Sequence, residues 1–451
     1  MEKFPGASAG ERIDAGKQLR QKVDRDAQAH LNPKGRDFDP VGVLRAAVDR
    51  RVSDLLPVKY ARMKVSPFAF FRGTAFLMAA DMARLPNSGI EVQICGDAHV
   101  QNMGSFAAPD GKLIFDINDF DETVRAPWEC DVKRMAASVV LAGRESGHDA
   151  EGCHAAAAAL VESYCKSIRA MAEMPVLEAV RFVVHRDSRV APIHAALTQS
   201  ERARPREILK KLTERDKRGK PRFRNQPPVI SRVTGETAKS VLDSLAAYRE
   251  TLLPERRAFF DRFHPVDVGF KVVGTGSVGL RDYVVLFEGN GPRDPIFLQV
   301  KQEIESAWSP LVVSESPSDE RHEGRRVALG QRAMQPLSDL FLGWTKIGSN
   351  DYLVRQLNDH KGSIDLDNLK RSGLTHLARV AGELMARGHA RTGDACLISG
   401  YCGSPAKTAK AFANFAIEYA DQATADYKVF LASLKKGALK ARAKTKAASA
   451  S

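Results

Sequence analysis

Cys95-Gly96-Asp97-Ala98-His99-Val100-Gln101-Asn102 is followed by a second polar stretch, Asp116-Ile117-Asn118-Asp119-Phe120-Asp121-Glu122. Ile90, Val92 and Ile94 alternate with polar neighbours upstream, so a short strand is expected to deliver Gly96 and Asp97 at its end. Asn102–Phe106, the turn Pro109-Asp110-Gly111 and Lys112–Ile117 predict a hairpin with Asp97, Asn102 and Asp119 around it. An aspartate, an asparagine five residues on, and an Asp-Phe after a strand–turn–strand are the parts phosphoryl transfer uses for base and metal. Asp97 would accept or orient the acceptor hydroxyl. Asn102 and Asp119 would hold Mg²⁺. Asp116 is the next candidate ligand, because its offset from Asn102 is the more usual one. Asp121 stands where a glycine is expected and can serve a second magnesium.

Further along, Gly274-Thr275-Gly276-Ser277-Val278-Gly279 lies between two strand-like runs, Phe270–Val273 and Tyr283–Phe287. Glycines there let backbone N–H groups approach phosphate oxygens. A dinucleotide fingerprint sits between a strand and a helix. A strand on both sides is the arrangement of a kinase glycine loop, which such a sequence shares with plain glycine hairpins. Lys301 ends the next apolar strand, Phe297–Lys301, and pairing phosphates and a carboxylate would satisfy its ammonium. Glu323 and Glu320, on the following helix, are the expected carboxylate partners, with Glu303 and Glu305 as alternatives. Asp351–Leu357 reads as the strand entering a hinge. Backbone groups at Gln356, Leu357 and Asn358 would there meet an adenine edge. Asp131, opening the helix after Pro127, is expected either to accept bonds from the catalytic-loop amides or simply to complement its helix dipole. His99 is expected to fix its turn rather than bind metal.

The bulk numbers suit this chemistry. The 451 residues are 43% hydrophobic and 27% charged, a globular balance sufficient for two or three domains. The net charge of +13 favours acidic ligands such as phosphates and nucleotides. Much of the excess sits in Glu201–Arg224 and Lys435–Lys446, without interleaved aromatics in the tail, so nucleic acid is not an expected partner. The six cysteines show no C-x-x-C pair or zinc spacing and read as reduced thiols. Met1–Gln28 lacks an apolar signal core, and no run is long enough to span a membrane. A cytoplasmic protein is expected.

Arg62-Met63 with Ser66-Pro67-Phe68-Ala69-Phe70-Phe71-Arg72-Gly73, Cys95–Asn102, Phe115–Glu122, Pro127–Asp131, Lys271–Gly279, Leu298–Lys301 and Tyr419–Gln422 together resemble the bacterial family known as domain of unknown function 2252. The resemblance runs from roughly Gly10 to Leu431 and implies a protein-kinase-like fold. Gly96–Asn102 is also similar to the G-D-x-H-x-x-N loop of aminoglycoside and choline phosphotransferases. That similarity implies magnesium, a nucleoside triphosphate and a hydroxyl-bearing acceptor. Met103, Cys130 and Gly274-Thr275 depart from the family's usual residues, but none of them is a proposed catalytic side chain.

Kinases place the glycine loop and lysine before the catalytic loop and metal aspartate. Here the order is reversed, so the expected fold is α+β with two circularly permuted lobes. Residues 1–56 would form an arm and helix. Residues 57–264 would form the helical catalytic lobe, with a charged connection at about 175–233. Residues 265–358 would be the β-rich nucleotide lobe, 359–434 helices completing the helical lobe, and 435–451 a disordered basic tail. The expected function is phosphoryl transfer from Mg-ATP to a small-molecule hydroxyl. The alternatives are nucleotidyl (AMP) transfer on the same scaffold and a non-catalytic nucleotide-binding regulator. A metallophosphoesterase would need further histidines, and Gly289-Asn290-Gly291 lacks one.

Overall fold

A computed structural model describes residues 6–31, 36–49, 51–108, 110–181, 190–202, 205–217, 219–227, 229–272, 276, 278–312, 321–357, 362–437 and 439. The chain is mixed α+β, with helices first, a sheet next and helices at the end.

The long helices Glu129–Glu145, Ala150–Glu173, Gly373–Thr392 and Pro405–Lys435 enclose the main core. Trp128 is sandwiched there between Tyr164 (5.2 Å, interplanar 4°) and Phe412 (5.5 Å, 15°). Glu129–Glu145 is buried on nearly every face, including Asp131, Lys133 and Arg134. A helix so enclosed must give each polar group a partner or a function. Gly382 lets Gly373–Thr392 lie against Ala150–Glu173: a Cβ there would stand 2.2 Å from the Leu160 carbonyl oxygen.

The main sheet is antiparallel. Its strands lie in the order Gly343–Ile347, Asn350–Gln356, Pro295–Glu303, Asp282–Glu288, His264–Lys271, Ile230–Val233. Strand alternation divides it into two faces. Tyr283, Val285, Phe287, Leu298, Val300 and Val354 pack on Val241, Tyr248 and Phe260 of the helices Gly235–Thr251 and Pro254–Phe260. The other face is apolar at one end, where Val284, Leu286, Phe297 and Leu357 meet Leu212, Phe223 and Ile230. At its other end it carries Asp282, Gln299, Lys301 and Glu303, all buried.

Two local expectations differ from what forms. Phe68–Leu85 is two helices, Pro67–Arg72 and Ala75–Met82. The break falls at Gly73, where Met63 leaves no room for a Cβ (2.8 Å) and the Thr74 hydroxyl donates to the Phe70 carbonyl (2.9 Å). The charged stretch 175–233 is not merely a connection. It forms the helices Ala191–Arg202 and Pro205–Leu212, a hairpin of Thr213–Arg215 with Pro221–Phe223, and the edge strand of the main sheet, so the β portion begins near Ile230 rather than at 265. Most of the tail 435–451 lies outside the described residues.

Gly382→Val should cost about 1–3 kcal/mol through overpacking. Urea unfolding is expected to show a lowered midpoint with an unchanged slope; an unchanged midpoint would mean that the two helices do not touch there.

Candidate functional site

The loop after strand Glu91–Ile94 is held from below by one face of the helix Glu129–Glu145. Asp131 accepts from the amides of Cys95 (2.7 Å) and Gly96 (2.9 Å). Arg134 donates through Nε (3.0 Å) and Nη2 to Asp97, and the Ser138 hydroxyl accepts from the Val100 amide (2.9 Å). Positions 131, 134 and 138 share one helical face, and they follow the loop step by step. From above, the Trp308 indole donates to the Gly96 carbonyl (2.6 Å). Gly96 has φ +81°, and a Cβ there would stand 2.2 Å from the Glu122 carbonyl oxygen. Only glycine fits.

Asp97 is the loop's one carboxylate. Burial, opposed by Arg134 and reinforced by Asp119, holds it above the usual carboxylate range. Asn102 Nδ2 donates to the Asp97 backbone carbonyl (2.7 Å), which leaves Oδ1 as the atom available to a cation. His99 is buried and held well below the ordinary histidine value by burial, then by Arg72 and Arg134, so it is neutral. The hairpin Met103–Ala107 with Leu113–Ile117 pairs Met103 with Ile117. The Asn118 amide then donates to the Asn102 carbonyl (3.0 Å), which sets Asp119 beside the loop.

Lys301 reaches this cluster from the sheet. Its ammonium pairs with Asp121, a residue 180 positions away. Burial alone would lower the lysine, but Asp121, then Asp119 and Glu303, more than offset that and raise it, so it stays charged. Glu323 is not its partner. Glu323 accepts from Arg326 Nε (2.6 Å), and Arg326 donates onward to the carbonyls of Thr123 (2.6 Å), Asp121 (2.9 Å) and Ile304 (2.9 Å). Glu323 therefore helps staple the acidic loop to the sheet. Glu320 lies outside the described residues.

A cavity of about 410 Å³ opens between these parts, with Asp97, Asn102, Asp119, Asp121, Glu303 and Gly276 among its walls. Lys301 lies just behind Asp121. Asp116 is elsewhere: it is buried against Arg387 and does not line the cavity, because strand alternation turns it to the other side of the hairpin. The Gln356 amide is taken by Asp339 (2.5 Å) and the Leu357 amide by the Phe297 carbonyl (2.9 Å). Both amides are thus used within the fold and are not open to an adenine edge, and Leu357 is buried beside Leu212. Asn358 is outside the described residues, as are Gly274, Thr275 and Ser277. Of the glycine turn, Gly276 comes close to the Cys95–Asn102 loop: a Cβ on it would stand 3.9 Å from Asp97 Oδ2. The Gly279 carbonyl accepts from the Val52 amide (2.6 Å).

Asp121 Oδ1 and Glu303 Oε1 are buried without a hydrogen-bond partner. Burial and Asp121 push Glu303 well above the usual carboxylate range. Such oxygens beside an amide oxygen suit a hard cation. Among the described residues no three His, Cys, Asp or Glu side chains form a ready metal cage. A magnesium held here would take Asn102 and Asp119 as protein ligands and fill its remaining positions with phosphate and water, its usual habit.

Residues 51–433 match the family described as "Uncharacterized protein conserved in bacteria (DUF2252)". The chain belongs to the DUF2252 family. Every wall of the cavity lies within the span shared with the DUF2252 family. No curated protein and no solved structure matches the chain. Among the described residues no helix is long and apolar enough to cross a membrane.

Asp282, the register partner of Lys301, is pushed up to about 6 by burial, against the pull of Lys301. The folded state thus binds this proton more tightly than the unfolded chain, whose value is near 3.8. The resulting stabilisation is full below about pH 4 and is lost as pH rises through 6. Asp282→Asn keeps the acceptor for Gln299 and should melt higher than wild type at pH 8, with little difference at pH 4. A lower melting point at pH 8 would show that the charge, not its burial, governs this position.

Proposed function

We propose that this protein is a kinase-like phosphotransferase with circularly permuted lobes, which moves a phosphoryl group from Mg-ATP to a hydroxyl of a small-molecule acceptor. One observation carries this: the Lys301–Asp121 ion pair joins the sheet to the acidic loop, and Asp97, Asn102, Asp119 and Gly276 share one cavity. In this proposal Asp97 accepts the hydroxyl proton. Its raised proton affinity suits a base, and two Arg134 N–H bonds to Oδ1 fix its rotamer. Asn102 and Asp119 would hold magnesium, and Asp121 anchors the charged Lys301 behind the phosphate site. Bound magnesium supplies charge neutralisation at the transferring group. The backbone of the glycine turn covers the phosphates from the sheet side.

The Arg134–Asp97 pair also favours a second reading. A carboxylate already held by a guanidinium is a weaker base, as in a protein that binds nucleotide without turning it over.

The two readings separate on Asp97→Asn. The phosphotransferase loses turnover by roughly 10²–10⁴-fold, while its melting temperature still rises with increasing Mg-ATP. The binding protein shows the same rise and no ATP consumption in wild type with any acceptor. A wild-type melting temperature indifferent to millimolar Mg-ATP would end both.

A further inference from the structure

The segment Ser66–Gly73 is distinctive in sequence, and the phosphoryl-transfer roles above do not use it. It forms a short helix capped by the Ser66 hydroxyl, which accepts from the Ala69 amide (3.1 Å). Phe68, Phe70 and Phe71 are all buried, and the helix ends in Arg72. The guanidinium of Arg72 lies 5.9 Å from the Phe68 ring centroid and lines the cavity. Its Nε is buried without a hydrogen-bond partner. Arg51 enters the same cavity from the opposite side. Its Nη1 donates to the carbonyls of Gly276 (2.7 Å) and Val278 (2.8 Å), and its Nε is likewise buried without a partner. Gly276 lies between the two segments: its carbonyl accepts from Arg51, and a Cβ on it would stand 3.7 Å from the Arg72 backbone carbonyl oxygen.

Carboxylates lie near both groups, yet among the described residues neither guanidinium forms an ion pair. Burying guanidinium nitrogens without partners is costly. A guanidinium fork is completed by an oxyanion whose oxygens accept two parallel N–H bonds. The cavity, at about 410 Å³, is large enough to hold such an anion next to Asp97.

We propose that Arg51 and Arg72 form a clamp for a phosphate oxyanion beside Asp97. For the source of that phosphate this rests on the phosphoryl-transfer proposal: it is either the outer phosphate of the nucleotide or a phosphate already carried by the acceptor. Lys301, on the far side of Asp121, is not part of the clamp.

Titration calorimetry with inorganic phosphate on wild type, Arg51→Gln and Arg72→Gln tests it. Wild type should bind phosphate, and each arginine variant should bind at least tenfold more weakly. Because an arginine variant can fail to fold, the wild-type protein is also treated with phenylglyoxal and its peptides are weighed. Phosphate should protect both Arg51 and Arg72. Equal phosphate binding by folded variants, or no protection of either arginine, overturns the clamp. Mg-ADP and a magnesium complex of a non-hydrolysable ATP analogue then identify the source. Arginine variants that lose affinity for the ATP analogue but keep it for ADP assign the clamp to the outer phosphate. Variants that keep both nucleotides and lose only inorganic phosphate assign it to a phosphorylated acceptor. A protein that binds phosphate at these arginines and no nucleotide keeps the clamp and ends the kinase proposal. A protein that binds Mg-ATP with both arginines unprotected does the reverse.

Discussion

The site depends on one buried ion pair. Lys301 comes from the third strand of the main sheet, Asp121 from the loop after a small hairpin, and their side chains are 3% and 20% exposed. Taking both charges out of water costs several kcal/mol per ion, so such a pair is weak evidence of net stability. Its effect is geometric. Removing either partner would leave a charge stranded in the interior, and this forces the sheet and the acidic loop to close on each other. Arg326 reinforces the closure with hydrogen bonds to three carbonyls on both sides of the seam.

Around that seam, polar groups divide into two kinds. Some shape the backbone: Asp131, Trp308 and Ser138 each bond the Cys95–Asn102 loop, and Asp116 pairs with Arg387. Others line the cavity with unsatisfied atoms: carboxylate oxygens on Asp121 and Glu303 and guanidinium nitrogens on Arg51 and Arg72. A rigid frame that leaves both signs of charge incomplete at one opening suits a ligand that brings a cation and an anion together. Metal-bound phosphate is such a ligand.

What could be read beforehand was local. The strand before Gly96, the hairpin that carries Asn118 beside Asn102, and the strand that carries Lys301 follow from alternation and turn residues over a few positions. Contacts across long loops were not legible. The partner of Lys301 was sought on the next helix, at Glu323, because no pattern over 180 residues points to Asp121. Asp116 and Asp119 could not be told apart until the hairpin register turned Asp116 away from the cavity. Asp131, Arg134 and Ser138 did carry a signal, three polar residues at helical spacing on one face of the helix Glu129–Glu145. Arg51 and Arg72 carried none, since an arginine at a segment end reads first as solvated. The charged stretch 175–233 was read as a connection because its short elements have little periodicity of their own and owe their form to packing on the sheet.

The most direct test of this arrangement is a crystal structure with magnesium and a non-hydrolysable ATP analogue. The account predicts a magnesium ion ligated by Asn102 and Asp119, with the outer phosphates between Gly276 and Asp97. A triphosphate bound away from this cavity, or a cavity that stays free of metal at saturating ligand, would contradict it.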